Sequence, residues 1–144
     1  MLVQQILRTK SSTGVVTIRP GTRLADAANL LAERKIGAVV VSPDGKRVAG
    51  ILSERDIVRV LATEGAACLD GPVDGVMTAA IVTCRGDDTS DAVLAQMTEG
   101  RFRHLPVMEG EEMIGLISIG DVVKAQLSEL SMEKMALEGM IKGF

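Results

Sequence analysis

Two heptapeptides of one pattern decide the fold: GILSERD at Gly50–Asp56 and GLISIGD at Gly115–Asp121. Each reads glycine, two aliphatic residues, serine, two variable residues and aspartate. The second heptapeptide follows the first by 65 positions (115 − 50). A fixed spacing between two copies of a long motif indicates an internal repeat, which must be recognised before any other feature is interpreted.

Other stretches of the chain repeat at nearly the same spacing. KIGAVVV at 35–41 matches RFRHLPV at 101–107 with a spacing of 66, so the copies differ by short insertions in surface connections. Three further residues of each copy are 65 positions apart: Gly21, Asp26 and Ala27 match Gly86, Asp91 and Ala92. We interpret the chain as two divergent copies of one unit.

Each copy shows the same succession of periodic segments. Short β-rich stretches lead, amphipathic helices follow, then come two apolar strands and a closing helix. The first copy is read as VVTI, a helix from about Thr22, GAVVV, RVAGIL and a helix over 54–62. The second is read as IVTC, a helix from about Asp87, RFRHLPV, EMIGLIS and a helix from near Ile119 to about Ile141. The order is therefore β-α-β-β-α twice.

Composition excludes several classes of protein. The 144 residues are 47% hydrophobic and 24% charged with a net charge of −3, which is typical of a globular chain and not of a nucleic-acid binder. The only aromatic residues are Phe102 and Phe144, so a base-stacking platform is absent. No stretch resembles a signal peptide or a membrane span, which predicts a cytoplasmic protein. Cys68 and Cys84 are isolated, and we expect both to be reduced and structural.

The chain resembles a tandem pair of CBS (cystathionine-β-synthase) domains, known as a Bateman module. The resemblance covers about residues 2–125 and rests on GILSERDIV, RFRHLPV, GLISIGDVV and PVDGVMT. It implies an α/β (α+β) fold of two β-α-β-β-α repeats packed as a pseudo-twofold pair, with a short N-terminal helix and a long C-terminal helix. The domain boundaries that follow are a lead-in at 1–10, CBS domain 1 at 11–64, a linker at 65–75, CBS domain 2 at 76–126 and an extension at 127–144.

The heptapeptides have two interpretations. Ser-x-x-Asp before an amphipathic helix is close to a capping box, which needs no ligand. A helix N-terminus with a serine hydroxyl also suits an anion, and a carboxylate one turn later suits a ribose diol. Gly50 and Gly115 within strand patterns further suggest close approach of another group. In CBS pairs the matching serine and aspartate contact the phosphate and ribose of adenosine nucleotides, here Ser53 and Asp56, and Ser118 and Asp121.

The second copy carries the better-equipped candidate site. Alternation along RFRHLPV predicts Arg101 and Arg103 on one strand face and His104 on the other. An arginine there is a candidate phosphate ligand, although a solvated strand edge explains the charges equally well. The resemblance places the His-Leu-Pro segment near the adenine and a leading-strand threonine over the ligand. The remaining candidates in the two copies are Thr17, Val39, Val41, Thr83, Leu105 and Pro106.

The first copy departs from this pattern. Gly37-Ala38-Val39-Val40 replaces the basic residues and the proline, and Arg55 is the candidate that supplies a charge instead. We therefore expect two sites that are not equivalent. One would take a mononucleotide, and the other would accept a longer ligand such as NAD(H).

The chain ends carry apolar stripes, and we expect the stripe of the terminal helix to pack on the body of the protein or on a second subunit. The terminal helix spaces its apolar positions alternately by four and three residues, with one lysine interruption, at Val123, Leu127, Leu130, Lys134, Leu137 and Ile141. Val3, Ile6 and Leu7 form a shorter stripe at the other end. CBS pairs commonly form homodimers through their helices, and these stripes fit that arrangement.

We predict a regulatory module that binds AMP, ADP, ATP or NAD(H) and senses energy or redox state through a homodimer and an unknown effector protein. An enzyme is not expected, because one histidine and two scattered cysteines provide no nucleophile or metal set. The alternative is a structural dimerisation module with vestigial sites, in which the serines and aspartates only cap helices. No nucleic acid or membrane partner is expected.

Overall fold

The computed structural model describes residues 1–10 and 14–141. The helices are α1 (Val3–Thr9), α2 (Leu24–Arg34), α3 (Glu54–Glu64), α4 (Ser90–Gly100) and α5 (Ile119–Ile141), with short 3-10 turns at Ala66–Asp70 and Val73–Gly75. The strands are β1 (Thr17–Ile18), β2 (Ala38–Val41), β3 (Gly50–Ser53), β4 (Cys84–Arg85), β5 (His104–Glu109) and β6 (Glu112–Ser118). The predicted α/β class and the β-α-β-β-α order of each repeat are confirmed.

The strands form two three-stranded sheets of the same design. In the first, β1 runs parallel to β2 with Thr17 opposite Val40, and β3 runs antiparallel to β2 with Gly50 opposite Val41. In the second, β4 runs parallel to β5, and β6 lies beside β5. Parallel neighbours require a crossover connection, which α2 and α4 supply. All four residues of the central strand β2 are buried, which explains its continuous apolar run.

The chain divides into two compact units that do not follow the sequence order. The repeat-1 unit contains Gly14–Val82 and Glu109–Ile114. The repeat-2 unit contains residues 1–10, Thr83–Met108 and 115–141. Helix α1 therefore precedes the first repeat in sequence but belongs to the unit of the second. The domain boundaries inferred from the sequence stay predictions.

Each unit has its own cluster of buried residues. The repeat-1 core consists of Leu24, Ala27, Leu31, Val39, Val41, Leu52, Ile57 and Val73. The repeat-2 core consists of Val3, Ile6, Cys84, Val93, Met97, Leu105, Val107, Ile117, Val122 and Ala125. Val3 and Ile6 are 0% and 2% exposed, so the N-terminal apolar stripe packs into a core and is not a subunit interface.

The sequence located strand β6 and helix α5 better than the starts of helices α2 and α4. Strand β6 and helix α5 have the predicted bounds. Helix α2 was expected to be capped by Thr22, but its N-cap is Arg23, and the Thr22 hydroxyl donates to the Arg19 carbonyl at 2.6 Å. Helix α4 begins at Ser90 and not near Asp87, because the Thr89 hydroxyl accepts from the Ala92 N–H and caps it.

Candidate functional site

The first heptapeptide folds into a reciprocal cap at the start of α3. The Ser53 N–H donates to Asp56 Oδ2 at 2.9 Å, and the Asp56 N–H donates to Ser53 Oγ at 3.2 Å. The Ser53 hydroxyl also donates to Asp56 Oδ2 at 3.0 Å. Arg59, one turn further along α3, approaches Asp56 Oδ1 at 3.6 Å. The capping interpretation is confirmed here, and both oxygens of this carboxylate have partners within the repeat.

The second heptapeptide builds the same cap at the start of α5. The Ser118 N–H donates to Asp121 Oδ2 at 2.9 Å, and the Asp121 N–H donates to Ser118 Oγ at 3.1 Å. Burial opposes the charge of this carboxylate, but the Ser118 N–H and the Lys10 ammonium outweigh it. The pKa of Asp121 is consequently held below its ordinary value of 3.8, and the group is a carboxylate at neutral pH.

Lys10 is a residue of this site that the sequence did not indicate. Its ammonium donates to Asp121 Oδ2 at 2.9 Å and to the Leu116 carbonyl at 2.8 Å. The lysine and aspartate side chains are 28% and 23% exposed, so the ion pair is partly shielded from solvent. The two residues are separated by 111 positions, and no local pattern connects them.

In each unit, one backbone hydrogen bond joins the hairpin entrance, which is the residue directly before β2 or β5, to the first residue of the closing helix α3 or α5. In the repeat-1 unit the Glu54 N–H donates to the Gly37 carbonyl at 2.9 Å. In the repeat-2 unit the Ile119 N–H donates to the Arg103 carbonyl at 2.8 Å. This hydrogen bond places the backbone of Arg103 beside the Ser118–Asp121 cap, and the role of its side chain in phosphate binding stays a prediction. Arg55 is exposed in the first turn of α3.

The predicted alternation of Arg101, Arg103 and His104 along one strand is wrong. Strand β5 begins only at His104, which is partly buried. Arg101 is the C-cap of α4 with a left-handed φ of 57°, and Arg103 lies in the exposed connection between that cap and the strand. The two arginines therefore occupy a helix end and a loop, where strand periodicity does not apply.

The aliphatic candidates lie in the cores. Val39, Val41 and Leu105 are 0% exposed, and Pro106 is also buried. The side chains of the two valines and the leucine belong to the cores, so the backbone groups of these residues remain as candidates for reading an adenine. Thr17 is the partly buried first residue of β1, and the exposed Thr83 directly precedes β4. The two threonines occupy matching places in the repeats.

The two heptapeptide glycines make room for packing within the protein. A Cβ at Gly50 would lie 2.5 Å from Met77 Sδ, and a Cβ at Gly115 would lie 2.7 Å from Leu7 Cδ2. The close approach suggested by the sequence is confirmed, but the approaching groups are side chains of each unit's own neighbouring segment. Gly50 and Gly115 therefore provide no separate support for a ligand.

The described residues contain neither a metal-binding cluster nor a membrane-spanning helix. Among residues 1–10 and 14–141, no group of three or more histidine, cysteine or acidic side chains is placed to hold a metal ion. None of the helices within those ranges is both long enough and apolar enough to cross a membrane.

The family is decided by a comparison with protein-family models. The CBS domain model matches the chain twice, at residues 3–63 and 73–128. The chain belongs to the CBS domain family. The two matches are the two repeats, so the chain is a tandem CBS pair. CBS pairs are regulatory modules and not enzymes.

Relatives and solved structures agree with this assignment. The crystal structure of a CBS-domain containing protein from Agrobacterium tumefaciens is 44% identical, covers 88% of this chain and 99% of that one, and has a TM-score of 0.83. A CBS domain protein from Pyrobaculum aerophilum complexed with AMP is 26% identical, with 92% and 99% coverage and a TM-score of 0.77. The mitochondrial CBS domain-containing protein CBSX3 of Arabidopsis thaliana is 34% identical over 82% of this chain, which spans 59% of that protein.

Proposed function

We propose that the chain is an adenine-nucleotide-binding regulatory module whose principal site lies at the Ser118–Asp121 cap. The observation that carries the proposal is the arrangement at the start of α5. A charged, partly buried carboxylate, a serine hydroxyl and the positive end of the dipole of a long helix are held together there. Such a helix start favours a phosphate, and a carboxylate can accept from a ribose diol.

The AMP complex of the Pyrobaculum aerophilum relative supports an adenylate as the ligand class. That protein covers most of this chain at 26% identity. We propose AMP, ADP or ATP as ligands, with the module reporting cellular energy state to an effector protein. Binding of NAD(H) at one of the two sites, a redox-sensing role and a cytoplasmic location stay predictions.

The test of binding starts with the unmodified protein. Gentle purification followed by native mass spectrometry is expected to detect a co-purified adenylate. Calorimetry on the stripped protein should then show saturable binding of AMP, ADP or ATP, with CMP as the control for the base. A protein that arrives empty and ignores every adenylate would contradict the proposal. That outcome would favour a structural module, in which Ser53 and Asp56 satisfy each other as a cap.

We also propose that α5 mediates a homodimer. Its terminal stripe is solvent-exposed in the single chain, with Leu127 at 62%, Leu130 at 59% and Leu137 at 60% exposure. These leucines are three and seven positions apart on one side of the helix, with Lys134 between the last two, and form a surface that a second helix can cover. Apolar side chains exposed in such a row are typical of association sites.

A pair of matched variants tests the dimer. Leu130→Glu places a charge on the stripe, whereas Met132→Glu places it on the opposite side of the same helix at a similar exposure of 64%. We expect sedimentation to show a dimer for the unmodified protein and for Met132→Glu, and a monomer for Leu130→Glu. Equal behaviour of the two variants would contradict the assignment of this stripe.

A further inference from the structure

A cavity beside Asp121 has chemistry that the Ser–Asp cap does not explain. It lies within the repeat-2 unit, between α1 and α5, and has a volume of about 350 Å³. Its polar lining comes from Thr9, Lys10, Asp121, Lys124 and Ser128. Small-molecule sites usually have volumes of about 300–1,000 Å³, so the cavity is large enough to take part of a nucleotide.

The charged side chains of the lining are positive in sum. Lys10 neutralises Asp121 through the 2.9 Å ion pair, and Lys124 adds a second ammonium. Unpaired, the Asp121 carboxylate would repel a phosphate group. With Lys10 in place, the lining attracts an anion while the carboxylate keeps its charge.

The contacts of Lys10 leave the carboxylate able to bind a diol. Both the Lys10 ammonium and the Ser118 N–H donate to Oδ2 of Asp121, so within the described residues these bonds use the same oxygen. Oδ1 therefore remains a candidate acceptor for ribose hydroxyls. An ammonium has three donors, and two of those of Lys10 go to Asp121 and the Leu116 carbonyl. The third can reach a ligand oxygen.

The first repeat does not offer the same chemistry. Met77 packs on Gly50 as Leu7 packs on Gly115, so the segments around Met77 and Leu7 are structural counterparts. Lys10 follows Leu7 by three positions, and the residue three positions after Met77 is Ala80. Asp56 is approached by Arg59 of its own helix at Oδ1, the oxygen that the second repeat leaves for a ligand.

We propose that Lys10, together with Lys124, makes this cavity the phosphate subsite of the repeat-2 nucleotide site. This inference rests on the proposed function and adds a selectivity to it. The site takes phosphorylated adenosine compounds and discriminates against adenosine itself. Lys10 thereby has two tasks, since it neutralises Asp121 and binds the ligand phosphate.

Calorimetry with AMP and adenosine tests the subsite, because the two ligands differ only in the phosphate. We expect Lys10→Met to weaken AMP binding by about 10-fold to 100-fold, the range for a hydrogen bond to a charged group. Adenosine binding should change by less than about threefold, because Lys10 contacts no part of the ligand other than its phosphate and the Ser118 N–H still holds Asp121. Lys10→Arg keeps the charge and should retain most of the AMP affinity. Lys46→Met, at an exposed lysine of the other unit, serves as the control.

The outcomes separate the inference from the function on which it rests. If Lys10→Met weakens AMP and adenosine binding equally, Lys10 only orients Asp121, and the phosphate subsite is wrong while nucleotide binding stands. If the unmodified protein binds neither ligand, the proposed function fails and the inference with it. Circular dichroism of each variant verifies folding, and Lys10→Arg tests charge in a side chain of similar length. The AMP affinity of the unmodified protein should also fall more steeply with added salt than that of Lys10→Met.

Discussion

The repeat-1 and repeat-2 units share a backbone design but place different partners on the same carboxylate. Both begin the closing helix with a reciprocal Ser–Asp cap, and both tie the hairpin entrance to that helix by one backbone hydrogen bond. Asp56 pairs with Arg59 of its own helix, whereas Asp121 pairs with Lys10 from α1. The cap is therefore common to both repeats, while side chains from outside the heptapeptides make the two sites different.

The largest difference in stability is expected at the glycines. A Cβ at Gly50 would meet the Thr78 carbonyl at 3.0 Å as well as Met77, and that carbonyl is fixed by a hydrogen bond from the Ile51 N–H. A Cβ at Gly115 would meet the tip of Leu7, which can rotate away. We expect Gly50→Ala to lower the free energy of unfolding by about 2 kcal/mol and Gly115→Ala by about 1 kcal/mol. Urea denaturation measures both, and a larger loss for Gly115→Ala would contradict this ranking.

A smaller and pH-dependent effect is expected at Asp121. Its pKa is lowered in the folded state, so its charge stabilises the fold above the ordinary pKa of 3.8. That contribution is lost as the pH falls from there through the lowered pKa. We expect Asp121→Asn to cost about 1 kcal/mol at neutral pH and to become nearly neutral in acid. The free energies of unfolding of Asp121→Asn and the unmodified protein, measured across this pH range, check the trend. A difference between them that does not vary with pH would show that Lys10 does not stabilise the charge of Asp121.

The last comparison concerns the reactivity of the two cysteines, one in each unit, and involves no change to the fold. Burial and the nearby Asp88 raise the pKa of the Cys84 thiol in the repeat-2 unit to about 12. Cys68 in the repeat-1 unit is only partly buried. Because the thiolate is the reacting form, iodoacetamide at pH 8 should alkylate Cys84 at least about tenfold more slowly than Cys68. Peptide mass spectrometry measures the two rates; equal rates in the folded protein would contradict the assigned burial, and unfolding should abolish the difference.

Local patterns in the sequence were enough for features that depend on local chemistry. The serine and aspartate of each heptapeptide, three positions apart, predicted the caps, and the bounds of β6 and α5 followed from periodicity. Arg101 was misplaced because it adopts a left-handed helix cap, which strand alternation cannot describe. Lys10 was missed because its partner is 111 positions away and belongs to another element. The assignment of α1 to the repeat-2 unit likewise depends on tertiary packing, which no repeat spacing reveals.

The comparison of Asp121→Ala with Asp56→Ala tests the central claim most directly. In calorimetry with AMP, ADP, ATP and NAD, Asp121→Ala is expected to remove the tighter AMP binding, while Asp56→Ala leaves it within about threefold, since Asp56 makes its contacts within the other unit. Asp87→Ala, at an exposed carboxylate of the repeat-2 unit, controls for the loss of charge. Equal losses from Asp56→Ala and Asp121→Ala for every ligand would contradict the conclusion that the two repeats carry different sites.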